Sequence, residues 1–137
     1  MSEDSMKILI AEDDLISRNL LQKMLVRFGE CDVAVNGREA LAAFSLALQE
    51  GEPYSLACLD IMMPEMDGIE CLKEMRRLEK ENAVLDGNEV KIVMTTALDN
   101  MKSVMEAYYR GGCNAYLVKP IERETLYATL RDCKIII

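Results

Sequence analysis

The chain has 137 residues, half of them apolar and 29% charged, a length and composition that fit one globular domain with a single core. A net charge of −8 with no long basic run argues against direct nucleic-acid binding, which needs a positive face to displace counterions. Apolar runs of only a few residues argue against a membrane span, and the start MSEDSMK lacks a basic region followed by an apolar stretch, so the expected location is the cytoplasm.

Five strand-like runs alternate with helix-like stretches. The first, KILIA (Lys7–Ala11), precedes a helical pattern through Leu21, Met24, Leu25 and Phe28, which Gly29 is expected to stop. CDVAV (Cys31–Val35) follows, then Asn36-Gly37 as a plain turn, then a helix through Ala40, Leu41, Phe44 and Leu48. Gly51 and Pro53 break the chain before YSLACLD (Tyr54–Asp60), and a loop holding Pro64 and Gly68 leads to a helix through Ile69, Leu72, Met75 and Leu78. After the polar stretch Glu81–Glu89 come VKIVMTT (Val90–Thr96), a helix through Met101, Val104, Met105 and Tyr108, and the stop Gly111-Gly112. NAYLV (Asn114–Val118) ends at Lys119-Pro120, and a last helix runs from about Glu122 to Cys133. The apolar ending Lys134–Ile137 reads as a truncation point or a turn packed on the core.

Strict alternation of strand and helix, with strands such as ILIA and KIVM apolar throughout, predicts an α/β fold: an open, doubly wound, five-stranded parallel sheet covered on both faces. Residues 1–137 read as one domain with its core at about 7–133. The cysteines (31, 58, 71, 113 and 133) are odd in number, widely spaced and without a C-x-x-C, so they read as reduced, mostly buried thiols. Histidine is absent, which removes Ser-His and Cys-His nucleophile pairs, histidine-bearing zinc sites and any phosphohistidine of the chain's own.

In such sheets ligands bind beyond the carboxyl ends of the strands. The first strand exits at Glu12-Asp13-Asp14, the third at Asp60, the fourth at Thr95-Thr96 and the fifth at Lys119-Pro120. Each has an ordinary explanation alone: Asp14 caps the next helix, a threonine ends a strand, a lysine before proline is solvated, Asp60 caps a turn. Together they make one edge rich in carboxylates, with a hydroxyl and a lysine. Crowded carboxylates repel, and a hard divalent cation with oxygen ligands offsets that repulsion. Glu12, Asp13 and Asp60 supply three negative charges, and Mg²⁺ with Lys119 supplies three positive ones. An incoming phosphoryl group then finds the cation, the lysine and the hydroxyl waiting.

The segments ILIAEDD, LDIMMPEMDG, MTTA and AYLVKP resemble the receiver family of response regulators over nearly the whole chain, from about Lys7 to Cys133. The resemblance implies a flavodoxin-like (βα)5 fold with strand order 2-1-3-4-5 and a Mg²⁺-dependent switch. It implies Asp60 as phosphoacceptor, with Glu12, Asp13, Asp60 and the backbone carbonyl of Met62 around the metal. Asp13 binds directly and Glu12 largely through water. Thr96 and Lys119 hold the phosphoryl group, Thr96 and Tyr116 act as the switch, Lys119–Pro120 is cis, and Asp67-Gly68 starts the third helix, with Gly68 easing the turn. Two departures stand out: Glu12 where some members carry aspartate, and the lengthened Glu81–Glu89 link.

The implied donor is a sensor histidine kinase or a histidine phosphotransfer protein. The implied output is an unidentified protein that docks on the face of the fourth helix, fifth strand and fifth helix, with Met101, Lys102, Met105 and Tyr109 as contact candidates. The chain is then a switch and not an enzyme, acting only on its own phosphorylation and dephosphorylation. Met62 and Leu98, each two residues past a site residue, are apolar and cannot orient water, so slow self-dephosphorylation is expected. Alternatives are a phosphorelay intermediate, a fragment of a longer regulator, an aspartyl-phosphate phosphatase, a nucleotide- or flavin-binding module and a scaffold that is never phosphorylated. Met62 argues against the phosphatase, which places a second aspartate there. Glu12-Asp13-Asp14 would repel the phosphate of a nucleotide, and the intact site argues against the scaffold.

Overall fold

The computed structural model describes residues 6–97, 101–106 and 112–136. Its order is β1 (Met6–Ala11), α1 (Leu15–Leu25), β2 (Gly29–Ala34), α2 (Gly37–Gln49), β3 (Leu56–Asp60), α3 (Gly68–Glu81), β4 (Lys91–Thr96), α4 (Met101–Glu106), β5 (Ala115–Val118) and α5 (Arg123–Asp132). All pairings are parallel, in a five-stranded sheet of order β2-β1-β3-β4-β5.

Continuous apolar strands arise because both faces are covered. In β1, Leu9 and Ala11 enter one cluster with Phe44 of α2 and Leu72 and Met75 of α3. Their neighbours Ile8 and Ile10 enter the other, with Leu21 and Leu25 of α1 and Leu126 and Leu130 of α5. β3 splits likewise, Ala57 and Leu59 to the first cluster, Leu56 and Cys58 to the second. A strand whose odd and even residues are both buried has no place for polar alternation. The apolar ending packs, since Ile135 and Ile136 join the second cluster.

Three local readings are corrected. Gly29 does not stop a helix: α1 ends at Leu25, and Gly29 opens β2 beside Met6. A β-carbon there would lie 2.0 Å from the Met6 carbonyl oxygen, so glycine is required by close backbone approach. Phe28 therefore leaves the helix and meets Tyr127 edge to face, ring centroids 5.2 Å apart. Asn36-Gly37 is not a plain turn but a helix start, with the Asn36 side chain accepting from the Glu39 N–H at 2.9 Å. Gly68 serves close approach more than turning, because a β-carbon would stand 2.2 Å from the Asp60 carbonyl oxygen. Asp14 and Asp67 cap α1 and α3 as expected, through the N–H groups of Ser17 and Glu70.

Candidate functional site

The strand order puts the exits of β1, β3, β4 and β5 side by side. Glu12 follows β1 and is buried, with its N–H donating to the Ala34 carbonyl of β2 at 3.0 Å. Asp13 is exposed at the rim. Asp60, the last residue of β3, is also buried, and its neighbour Ile61 continues the ladder by donating to Thr95. One oxygen from each of Glu12, Asp13 and Asp60 lies within 4.8 Å of the others. All are carboxylate oxygens, the donor set a hard cation such as Mg²⁺ prefers, so these residues fit one.

Lys119 holds two of these carboxylates. Its ammonium stands 2.6 Å from Glu12 Oε1 and donates to Asp60 Oδ2 at 3.1 Å. The other Asp60 oxygen, Oδ1, accepts from the Met62 N–H at 3.2 Å. Glu12 Oε2 accepts from the Asp14 N–H at 3.1 Å. The nucleophile candidate is thus oriented by one backbone donor and one ammonium.

Burial pushes the Glu12 carboxyl above its ordinary value, its contact with Asp60 pushes it further, and Lys119 pulls it back only in part. Burial alone would lower the Lys119 ammonium, but its bonds to Glu12 and Asp60 outweigh that, and the net direction is upward. Both directions express one condition: a cationic charge is favoured between Glu12 and Asp60.

Thr96 ends β4 fully buried, its hydroxyl donating to the Ala97 carbonyl at 2.9 Å. Tyr116, in β5, turns outward and is 39% exposed. Met62 is 62% exposed beside the acidic rim. Lys119–Pro120 is cis. Lys102 and Met105 of α4 are exposed, which sets Met105 apart from the core. Leu98, Tyr109 and the side chain of Met101 lie outside the described residues.

Two elements escaped sequence reasoning. Arg18 of α1 donates from Nη1 to the Glu12 carbonyl at 3.0 Å. Gly37 packs so tightly that a β-carbon would lie 2.1 Å from the Met66 carbonyl oxygen, in the loop that carries Met62. An arginine on a helix and a glycine after asparagine have commoner meanings, so neither carries a distinguishing signal.

With this geometry the response regulator receiver domain profile matches residues 8–131. The chain belongs to that family. It is a phosphoacceptor switch of the two-component phosphorelay kind.

The receiver of the histidine kinase CKI1 from Arabidopsis thaliana, a crystal structure complexed with Mg²⁺ and BeF₃⁻, aligns at TM-score 0.80 and 26% identity, covering 96% of this chain and 91% of that one. The co-crystal structure of the Saccharomyces cerevisiae histidine phosphotransfer protein Ypd1 with the receiver of its downstream response regulator Ssk1 gives 0.75 at 29% identity, covering 90% and 85%. In sequence, the peroxide stress-activated histidine kinase mak3 of Schizosaccharomyces pombe is 36% identical over 129 residues, which are 90% of this receiver and 5% of the kinase. This receiver spans 7%, 26% and 16% of three further relatives: the hybrid signal transduction histidine kinase I of Dictyostelium discoideum, the regulator ZraR of Escherichia coli and the sensory protein RpfC of Xanthomonas campestris. Among the described residues no helix is long and apolar enough to cross a membrane.

Proposed function

We propose that Asp60 accepts a phosphoryl group from the phosphohistidine of a sensor histidine kinase or histidine phosphotransfer protein, in a Mg²⁺-dependent step. The observation that carries this is the Lys119 ammonium lodged between Glu12 and Asp60 at a rim where Asp13 adds a third carboxylate. In this reading Asp60 attacks phosphorus, an O–P bond forms, and the N–P bond breaks with its electron pair returning to the donor imidazole. The transition state asks little covalent work of the protein, so positioning and neutralisation dominate. The Met62 N–H and Lys119 aim the two Asp60 oxygens, Lys119 then pairs with the added phosphoryl charge, and Thr96 turns its hydroxyl from the Ala97 carbonyl to a phosphoryl oxygen. Glu12, Asp13, Asp60 and the Met62 carbonyl would hold Mg²⁺, which when bound neutralises charge on the transferring group.

Movement of Thr96 vacates space that Tyr116, now half-exposed, turns to fill, and the α4–β5–α5 face changes shape for an output partner. Exposed Met105 suits an adaptable contact on that face. Asp60 carries exposed, apolar Met62 two positions on, so nothing there activates water, which favours a long-lived phosphoryl group and disfavours an aspartyl phosphatase. We read residues 1–137 as one cytoplasmic receiver domain that catalyses only its own phosphorylation and dephosphorylation. A second reading, a phosphorelay intermediate or a piece of a longer regulator, is favoured by the small share that receivers occupy of the relatives.

The test is acetyl phosphate with and without Mg²⁺, read by intact-protein mass. A gain of one phosphoryl group, lost with Asp60→Asn or with chelator, supports the proposal. Unchanged uptake in Asp60→Asn refutes it.

A further inference from the structure

The acidic turn after β1 is braced from behind. Arg18, one turn into α1, donates from Nη1 to the Glu12 carbonyl at 3.0 Å and lies 3.5 Å from the Asp13 carbonyl. Its own N–H donates to the Asp14 carbonyl at 2.9 Å as the first helical bond of α1. One residue thus reaches the main chain of all three acidic positions. The side chain is half-buried, so this contact is not a freely solvated arm.

The choice of acceptor is informative. A carboxylate is a stronger partner for a guanidinium than a carbonyl. Three carboxylates lie four to six positions away in sequence, yet the guanidinium is bonded to backbone oxygens. A residue placed for charge alone would take a carboxylate. This one leaves the Glu12, Asp13 and Asp60 oxygens free to converge within 4.8 Å.

We propose that Arg18 is a positioning residue for the divalent cation, fixing the Glu12–Asp13 backbone so that the two side chains project toward Asp60. The inference rests on the cation site described under the proposed function. It has a sign that separates it from simple electrostatics. Arg18 carries a positive charge near a cation site, so as a mere charge it weakens binding, and its removal would tighten the site a few-fold. As a brace it strengthens binding, and its removal loosens the site. Groups that orient metal ligands from behind are worth about 10–100-fold in affinity, which exceeds the opposing charge effect.

The experiment is titration calorimetry of the unphosphorylated chain with MgCl₂ and with MnCl₂. Arg18→Met keeps the apolar stem and removes the donors. Its dissociation constant should rise about tenfold or more. Arg131→Met, at the far end of α5, makes the same change in net charge and should bind as the parent does. Should Arg18→Met fail to fold by circular dichroism, Arg18→Gln takes its place under the same criterion. An unchanged or tighter constant in the folded Arg18 variant overturns the brace. Absence of binding by the parent chain, or full binding by Asp13→Asn, instead overturns the cation site and the brace with it.

Discussion

The Lys119 ammonium lies closer to Glu12, at 2.6 Å, than to Asp60, at 3.1 Å. The lysine therefore stands where positive charge is needed and pairs with a buried carboxylate on each side. Lys119→Met should leave Glu12 and Asp60 facing one another without a cation. Breaking a buried pair costs about 3–5 kcal/mol, and discounting for a lysine one-quarter exposed gives about 2–3 kcal/mol. Divalent cation should restore more stability to the variant than to the parent, because it takes the vacated charge position. Thermal unfolding with and without MgCl₂ measures both effects, and an equal Mg²⁺ shift in the two proteins contradicts the assignment.

Gly68 packs against the backbone of Asp60, the proposed nucleophile. A β-carbon there meets the Asp60 carbonyl oxygen at 2.2 Å and the Ile61 α-carbon at 3.0 Å, both main-chain atoms that cannot swing aside. Gly68→Ala should cost about 1–3 kcal/mol as overpacking and slow phosphoryl uptake by displacing Asp60. Gly51→Ala is the comparison, since Gly51 has φ +74° and open space around it. It should cost about 1 kcal/mol of backbone strain and leave uptake untouched. Chemical denaturation paired with acetyl phosphate kinetics separates the two, and equal uptake by both variants counts against a positioning role for Gly68.

The strand exits were legible because each apolar run stops at a charged residue, which an apolar strand interior does not favour. ILIA stops at Glu12, LACL at Asp60, and AYLV at Lys119, and parallel order carries these to one rim. What escaped was whatever depends on a distant backbone. Gly29 reads locally as a helix stop, but its reason is the Met6 carbonyl on a neighbouring strand. Asn36-Gly37 reads as a turn, while the structure makes it a cap and a close approach to Met66. Arg18 sits on a helix face whose spacing matches a solvated one, and nothing in sequence says that its guanidinium turns back to Glu12.

Arg76 and Glu79 illustrate the same point at the opposite end of the sheet. Spaced i, i+3, they resemble a surface pair, yet Glu79 is buried and accepts from Arg76 Nη1 and from the Val90 N–H, each at 2.7 Å. Arg76 also donates to the Val90 and Gly112 carbonyls and to Asn114 Oδ1, tying α3 to β4 and to the approach to β5. Arg76→Met should cost about 3 kcal/mol, since it strands a buried carboxylate and several carbonyls. The cation site lies at the other edge, so Mg²⁺ affinity should hold. A loss under about 1 kcal/mol in urea denaturation would show the pair to be an ordinary surface ion pair.

The buried thiols give a pH dependence of known sign. Burial pushes Cys58 and Cys71 from an ordinary 9.0 up to about 12, with a smaller upward push from the neighbouring Cys31 on Cys58 and from the carboxylates of Asp67, Glu70 and Glu74 on Cys71. In the unfolded chain these thiols ionise near 9, while in the folded chain they hold their protons to about 12. Between those values the unfolded state binds fewer protons, so stability falls as pH rises, by about 1.4 kcal/mol per pH unit for each thiol. Below 9 neither state ionises and this contribution is flat. Urea midpoints followed upward from about pH 8 should therefore decline steeply above pH 9, and Cys58→Ala should flatten the decline by one thiol's share, whatever its cost to packing. Iodoacetamide should agree: half-buried Cys31 and Cys133 should label in the folded protein, and Cys58 and Cys71 only on unfolding. A slope unchanged by Cys58→Ala would mean that other groups, Lys119 among them, govern the alkaline limb.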